Sequence, residues 1–211
     1  MGIPLHTQLA FVAQVAVCGV GIFAFRRSCI QLKIIAIYFV VSTAFSVVQL
    51  YLASHHANNL WLTHLFTPIQ YAFFAWTFSL WQSTNGMRKS LQISVVIFAA
   101  ICLGSVLLVE NLKAFNNYSR PLESILLVIA SGNALYRVNQ KGMQSLMRQP
   151  EFWVSGAVLL YFSGMVVLYS MSNSLLHASV ETLRVAWVAH SVVSVISNSF
   201  FAMAFLCPPI R

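Results

Sequence analysis

The side chains in this sequence that are best suited to proton exchange or metal binding are its six histidines. Histidine titrates near neutral pH and is the commonest protein ligand of metal ions. Imidazoles together with a glutamate could bind zinc, and the candidate ligands are His55, His56, His64 and His190. The spacings H-x-x-x-H and H-E-x-x-H, which place two histidines on one helix face, are absent. The sequence therefore predicts no metal and no cofactor, and a zinc site remains an alternative only.

Uncharged polar residues within the apolar segments predict a second kind of chemistry, the binding of a small molecule by hydrogen bonds. Pro68 follows His64 by one helical turn and removes the backbone hydrogen bond to the carbonyl of residue 64. In membrane proteins, an interrupted helix beside buried polar groups points to a binding site. Alternatively, such groups join helices to one another. The predicted ligand-binding residues are Gln49, His64, Gln70, Tyr71, His190 and Asn198.

The charged residues argue against several classes of pump and enzyme. The chain has no aspartate, and all four glutamates fall in predicted loops or at predicted helix ends. A proton pump usually needs a carboxylate within the membrane, so pumping is not expected. No lysine lies in the middle of a predicted helix, and the nine glycines form no phosphate-binding or dinucleotide-binding pattern. No catalytic residue is therefore predicted.

The elements that position these residues must lie in lipid, because 59% of the chain is hydrophobic and 8% charged. A soluble domain carries about 25% charged residues. A membrane helix needs roughly 20 apolar residues, and the apolar runs of this chain have that length. Strands of a membrane barrel are only about 10 residues long, so these runs are too long to be strands. We predict an all-α, polytopic seven-helix bundle in the inner (plasma) membrane, with the lipid bilayer as a partner and residues 1–211 as one domain. The predicted helices are 5–25, 33–53, 61–81, 91–110, 121–138, 152–171 and 183–206.

The formal net charge of +8 is explained by orientation and predicts no nucleic-acid partner. The first, third and fifth connections and the C-terminus share one face, which carries nine basic residues and one glutamate. The other face carries three basic residues and three glutamates. Because positive loops stay in the cytoplasm, we predict the N-terminus outside and the C-terminus in the cytoplasm. The basic face either docks a cytoplasmic protein or simply follows this rule.

The two halves of the sequence share a pattern that indicates an internal repeat. Near the start of the third helix, Trp61-Leu62-Thr63-His64 matches Trp187-Val188-Ala189-His190 of the seventh. In the second helix, Tyr38-Phe39 matches Tyr161-Phe162 of the sixth. The pattern predicts helices 1–3 and 5–7 as parallel repeats joined by helix 4, a 3+1+3 arrangement known among transporters. The alternative is convergent placement of interface tryptophans and polar histidines.

Three stretches, Asn58 to Tyr71, Phe152 to Gly164 and His190 to Asn198, resemble a group of small seven-helix bacterial membrane proteins. That group has no established activity, so this resemblance implies the fold alone. The topology also resembles that of the SWEET sugar facilitators, with an outside N-terminus and a 3+1+3 arrangement. This second resemblance implies a carrier, with Asn198 where a substrate-binding asparagine of the seventh helix is expected.

Three functions fit these observations. The first is a facilitative carrier of a small neutral solute, with a polar pocket that faces outward because all six histidines fall in the predicted outer half. The second is a membrane sensor or receptor component that binds an external ligand or proton and signals to a cytoplasmic partner. The third is a membrane metallohydrolase. Oligomer formation remains open.

Overall fold

The computed structural model describes residues 4–140, 146–171 and 179–207. These residues form seven long helices and no strand, which confirms the predicted all-α class. A short 3-10 turn, Phe25–Arg27, follows the first helix. The helices are α1 (Leu5–Ala24), α2 (Ile30–Ser54), α3 (Trp61–Leu80), α4 (Asn85–Leu108), α5 (Ser119–Asn139), α6 (Pro150–Ser170) and α7 (Val180–Leu206).

Five of the helices, α1, α2, α4, α6 and α7, are long and apolar enough to cross a membrane. The other two, α3 and α5, are less apolar because their buried faces carry polar side chains such as Gln70 and Glu123. A helix packed among others can carry such groups, since they meet protein partners instead of lipid. The largest change from a predicted boundary is in α4, which begins at Asn85 because its first turns include the polar Arg88 and Lys89.

Six of the helices form a closed ring. Around it, α1 packs against α2, α2 against α3, α3 against α5, α5 against α6, α6 against α7, and α7 against α1. Helix α4 lies outside the ring, where it packs mainly against α3. The ring therefore surrounds a central space to which α4 contributes no wall.

Consecutive helices run in opposite directions because their connections are short. The helices α1, α3, α5 and α7 begin at one end of the bundle, which we call the amino end. Contacts across this end confirm the arrangement: Asn59, just before α3, donates to the Gln49 carbonyl of α2, and His64 of α3 contacts Ala114, just before α5. The amino end is thus where the even-numbered helices finish and the odd-numbered ones start.

Four phenylalanines close the middle of the ring, and we call them the aromatic cluster: Phe39, Phe74, Phe162 and Phe201. Phe39 of α2 meets Phe201 of α7 edge-on, with ring centroids 5.1 Å apart. Phe162 of α6 meets Phe74 of α3 in the same way at 5.8 Å. Phe74 and Phe201 stack between them at 5.9 Å. Each such pair contributes about 0.5–1.5 kcal/mol beyond its buried area, so this cluster is a firm floor for the space above it.

Candidate functional site

A partly open cavity of about 460 Å³ lies inside the helix ring. It extends from the aromatic cluster to Thr7, Asn59 and Trp187 at the amino end, and all six ring helices contribute to its wall. The volume falls in the range of about 300–1,000 Å³ that is usual for small-molecule sites. Both its size and its place at the centre of the bundle suit a ligand site.

Four of the six residues predicted to bind a ligand line this cavity, namely Gln49, Gln70, His190 and Asn198. The ring of His190 lies against Trp187 at 5.5 Å and Tyr161 at 6.2 Å, measured between centroids. Further hydroxyl and amide groups come from α1, α2 and α7. They belong to Gln14, Ser42, Ser46, Ser194 and Ser197.

The other two predicted residues, His64 and Tyr71, are not part of the cavity wall. The Tyr71 hydroxyl lies 2.9 Å from Ser94 Oγ of α4, and its ring packs on Phe98 of the same helix at 4.4 Å. Tyr71 therefore joins α3 to the helix outside the ring. Sequence reasoning could not assign this face, because α3 is polar on both of its buried sides.

His64 belongs to a separate group at the amino end, which we call the His64 cluster: His64, Thr67, Glu110, Asn116 and Ser119. Its Nδ1 lies 3.3 Å from Glu110 Oε2, and its Nε2 lies 3.1 Å from the carbonyl oxygen of Ala114. Asn116 donates to Thr67 Oγ1 at 2.8 Å. The cluster thereby ties the start of α3 to the connection between α4 and α5.

Glu110 also caps helix α5. Its Oε1 accepts the backbone N–H groups of Tyr118 and Ser119 at 3.0 and 2.9 Å, and its Oε2 accepts the Ser119 hydroxyl at 2.9 Å. A carboxylate at a helix N-terminus satisfies free N–H groups and complements the helix dipole. This cap fixes the first turn of α5, and with it the position of the next residue, Arg120.

Arg120 lines the cavity although it is only 7% exposed. Its Nη1 donates to Gln70 Oε1 and, at 3.3 Å, to Glu123 Oε2. Gln70 in turn donates to the Tyr38 hydroxyl at 2.7 Å. The guanidinium carbon lies 4.9 Å from the centre of the Tyr169 ring. Arg120 is thus a buried cation held by neighbours from three helices.

Arg120 and Glu123 were missed as site residues by sequence reasoning. The sequence pattern places both near a predicted helix end, among the charged residues of the outer face. Glu123 does lie near the start of α5, but it faces inward and is 0% exposed. The signal available was the R-x-x-E spacing, since residues three apart share a helix face, followed by an otherwise uncharged segment up to Arg137.

The candidate zinc ligands do not come together. His55 and His56 are exposed at the end of α2, His64 lies against Glu110, and His190 lies in the cavity. Among the described residues, no group of three or more His, Cys, Asp or Glu side chains could hold a metal ion. Another histidine, His177, lies outside the described residues.

At the opposite end of the bundle, basic residues make specific contacts. Arg137 of α5 donates to the carbonyl of Trp81 at 2.8 Å and to Glu151 at 3.2 Å. The helix α5 therefore reaches from the cavity to an ion pair on the basic face. Two basic residues of that face, Lys141 and Arg211, lie outside the described residues.

Comparison with models of known protein families, with curated proteins and with solved structures finds no match for this chain. Function must therefore be inferred from the cavity itself.

Proposed function

We propose that this chain is a multi-pass protein of the inner (plasma) membrane that binds a small organic solute in the central cavity and carries it across by facilitated diffusion. The observation that supports the proposal is the cavity itself. Six helices supply its polar wall, and the aromatic cluster closes it from below. A binding site at the centre of the bundle, reached from one side, is what a carrier needs.

The distribution of charge supports an outward-facing cavity. The cavity extends to the amino end, and the basic residues concentrate at the other end, which the orientation rule places in the cytoplasm. In this orientation, solute enters from outside and meets the aromatic cluster halfway through the bundle.

The contacts of the aromatic cluster support the 3+1+3 arrangement. Phe39 of α2 and Phe162 of α6 occupy matching positions in the Tyr-Phe pattern, and Phe74 of α3 and Phe201 of α7 each end a Phe-Phe pair that follows a W-x-x-H sequence. Phe39 meets Phe201 edge-on, and Phe162 meets Phe74 edge-on, so each contact joins the first half of the chain to the second. Parallel repeats that meet along a central seam can rock against each other. In this proposal, such rocking separates the phenylalanines of the aromatic cluster and closes the cavity at the amino end.

Proteoliposomes test the proposal with a panel of radiolabelled probes: glucose, alanine, lactate and benzoate. Asn198→Trp fills the cavity, whereas Val192→Trp on the same helix is a matched control because Val192 is 52% exposed. We expect uptake of at least one probe faster than in protein-free vesicles, a loss of about tenfold in Asn198→Trp, and no change in Val192→Trp. Uptake that never exceeds the protein-free rate refutes the carrier.

A second candidate function is a sensor, and the path of α5 favours it. This helix carries Arg120 of the cavity wall in its first turn and Arg137, bonded to Glu151, near its far end. A ligand that moves Arg120 would shift α5 and alter the basic face where a cytoplasmic partner docks. Cysteine labelling at Arg148→Cys, with and without ligand, tests this candidate, because an unchanged labelling rate removes it.

A further inference from the structure

We infer that the ligand is a small organic carboxylate with an apolar body, and that its carboxylate binds the free edge of the Arg120 guanidinium. The inference rests on the proposed role of the cavity as a ligand site. It replaces the neutral solute that the sequence predicted, because that prediction assumed an interior without charge.

The hydrogen bonds of Arg120 use one side of its guanidinium only. Both of its bonds to described residues come from Nη1, to Gln70 and Glu123. The Nε atom has no hydrogen-bond partner and almost no accessible surface, so neighbouring side chains must shift before a ligand can reach it. Nη2 donates to none of the described residues. Buried polar groups nearly always have partners, and an unpaired donor calls for an explanation.

The Nε and Nη2 atoms lie along one edge of the guanidinium group, and this edge can bind an anion. The Nε–H and one Nη2–H point in the same direction, and together they match the two oxygens of a carboxylate. The stacking of Arg120 on Tyr169 and its bond to Gln70 hold the guanidinium plane in place. A fixed guanidinium plane with one unpaired edge needs little reorientation of its own to bind a planar anion, so little side-chain freedom is lost on binding.

Glu123 explains how the empty cavity tolerates this cation. Its carboxylate pairs with Arg120 at 3.3 Å and is not exposed, so the pair is neutral overall. The Oε1 atom of Glu123 has no hydrogen-bond partner. Glu123 therefore balances the charge of Arg120 through Nη1, and leaves Nε and Nη2 unpaired. Its negative charge also limits how strongly an anion is held.

Aromatic side chains in the cavity wall favour a ligand whose remaining part is apolar. Around Arg120 the cavity presents the aromatic rings of Tyr38, Tyr161, Tyr169 and Phe162. Aromatic rings bury apolar groups and stack on planar ones. A compact aromatic or medium-chain monocarboxylate fits this arrangement, because its body packs on these rings while its carboxylate meets Arg120.

The test compares each acid with its neutral amide, benzoate with benzamide and hexanoate with hexanamide, by isothermal titration calorimetry on the purified full chain in a neutral detergent. We expect the acids to bind at least tenfold more tightly than the amides. Equal affinities, or no binding of either acid up to 10 mM, overturn the inference. This comparison needs no variant, so a folding defect cannot obscure it.

Variants then locate the anion-binding group. Arg120→Gln should remove the preference for the acid, and Arg120→Lys should reduce it because lysine keeps the charge but lacks the two-pronged edge. Glu123→Gln should tighten acid binding several-fold, since Arg120 loses its counter-ion. The matched control is Arg184→Gln, an exposed arginine of α7, which should change nothing. A preference that survives in folded Arg120→Gln overturns the assignment.

Failure of this inference is distinguishable from failure of the carrier proposal. Rapid uptake of a neutral probe by proteoliposomes, without preference for acids, keeps the carrier and overturns the anion site. Preferential acid binding without any uptake keeps the anion site and refutes the carrier.

Discussion

The cavity and the His64 cluster draw on the same residue types, yet most polar atoms of the cluster have hydrogen-bond partners. His64 Nδ1 makes no hydrogen bond but lies 3.3 Å from the Glu110 carboxylate. In the His64 cluster, Glu110 accepts three hydrogen bonds and faces His64, and Asn116 bonds to Thr67. In the cavity, Arg120 Nε and Ser197 Oγ are buried without partners. The comparison teaches that polar residues in a bundle do not by themselves mark a site. A polar atom without a hydrogen-bond partner, on a residue that lines a cavity, is a stronger indication of a binding site.

The repeated W-x-x-H pattern shows the same contrast. His190 and Trp187 both line the cavity, whereas His64 bonds within its cluster and Trp61 is 42% exposed. The two W-x-x-H sequences therefore lie in different surroundings, one in the cavity wall and one at a contact between helices. Four pairs of substitutions can break or sharpen this contrast.

The largest expected effect is the loss of stability in Glu110→Ala. The change leaves three donors without their acceptor, namely the backbone N–H groups of Tyr118 and Ser119 and the Ser119 hydroxyl, and each buried unsatisfied donor costs about 1–3 kcal/mol. Thermal unfolding in detergent measures the change, with Glu181→Ala, an exposed glutamate of α7, as its control. Near wild-type stability in Glu110→Ala would contradict a structural role for the cluster.

The two histidines provide a second pair. His64→Ala should lower the free energy of unfolding by about 1–3 kcal/mol, because it leaves Glu110 and the Ala114 carbonyl with fewer partners. His190→Ala should instead weaken benzoate binding about five- to tenfold and change stability less. Thermal unfolding and calorimetric titration of both variants measure these effects. A loss of binding in His64→Ala together with a loss of stability in His190→Ala would contradict the roles given to the two histidines.

The two asparagines form a finer pair. Asn116→Ala removes the bond to Thr67 and should cost about 1–2 kcal/mol of stability while leaving ligand affinity unchanged. Asn198→Ala enlarges the cavity and should weaken binding a few-fold with a stability change under about 0.5 kcal/mol. The same two measurements apply. Equal binding by wild type and Asn198→Ala would remove Asn198 from the site.

The smallest effect is expected from two tyrosine hydroxyls. Tyr71→Phe and Tyr38→Phe each delete one hydrogen bond, to Ser94 and from Gln70 respectively, and each should cost about 1 kcal/mol of stability. Only Tyr38→Phe should alter benzoate affinity, by about twofold, because Gln70 also holds Arg120. A change of benzoate affinity in Tyr71→Phe would show that Tyr71 contributes to ligand binding after all.

Sequence reasoning reached the helices because their signal is local. Runs of about 20 apolar residues are sufficient to indicate membrane helices, and the seven long helices lie where those runs were found. Gln49, Gln70, His190 and Asn198 were identifiable because uncharged polar residues are unusual at such depth. Nothing in their types, however, separates a cavity wall from a contact between helices.

The inward positions of Arg120 and Glu123, and the position of Tyr71 outside the cavity wall, could not be predicted because they depend on the rotation of each helix about its axis. A charge near a helix end usually reaches the interface, so the R-x-x-E pair was counted as surface. Its inward direction follows from the cap that Glu110 provides from an adjoining connection. The partner of Tyr71 is α4, whose place outside the ring no local pattern predicts.

The most direct test of the account is a crystal structure of the full chain with 4-iodobenzoate, whose iodine is located by anomalous scattering. We expect the iodine peak inside the cavity, among the aromatic side chains, and the carboxylate within about 3 Å of Arg120 Nε. An iodine peak outside the cavity, or a carboxylate seated on the His64 cluster, would contradict the claim that the free edge of Arg120 is the binding site.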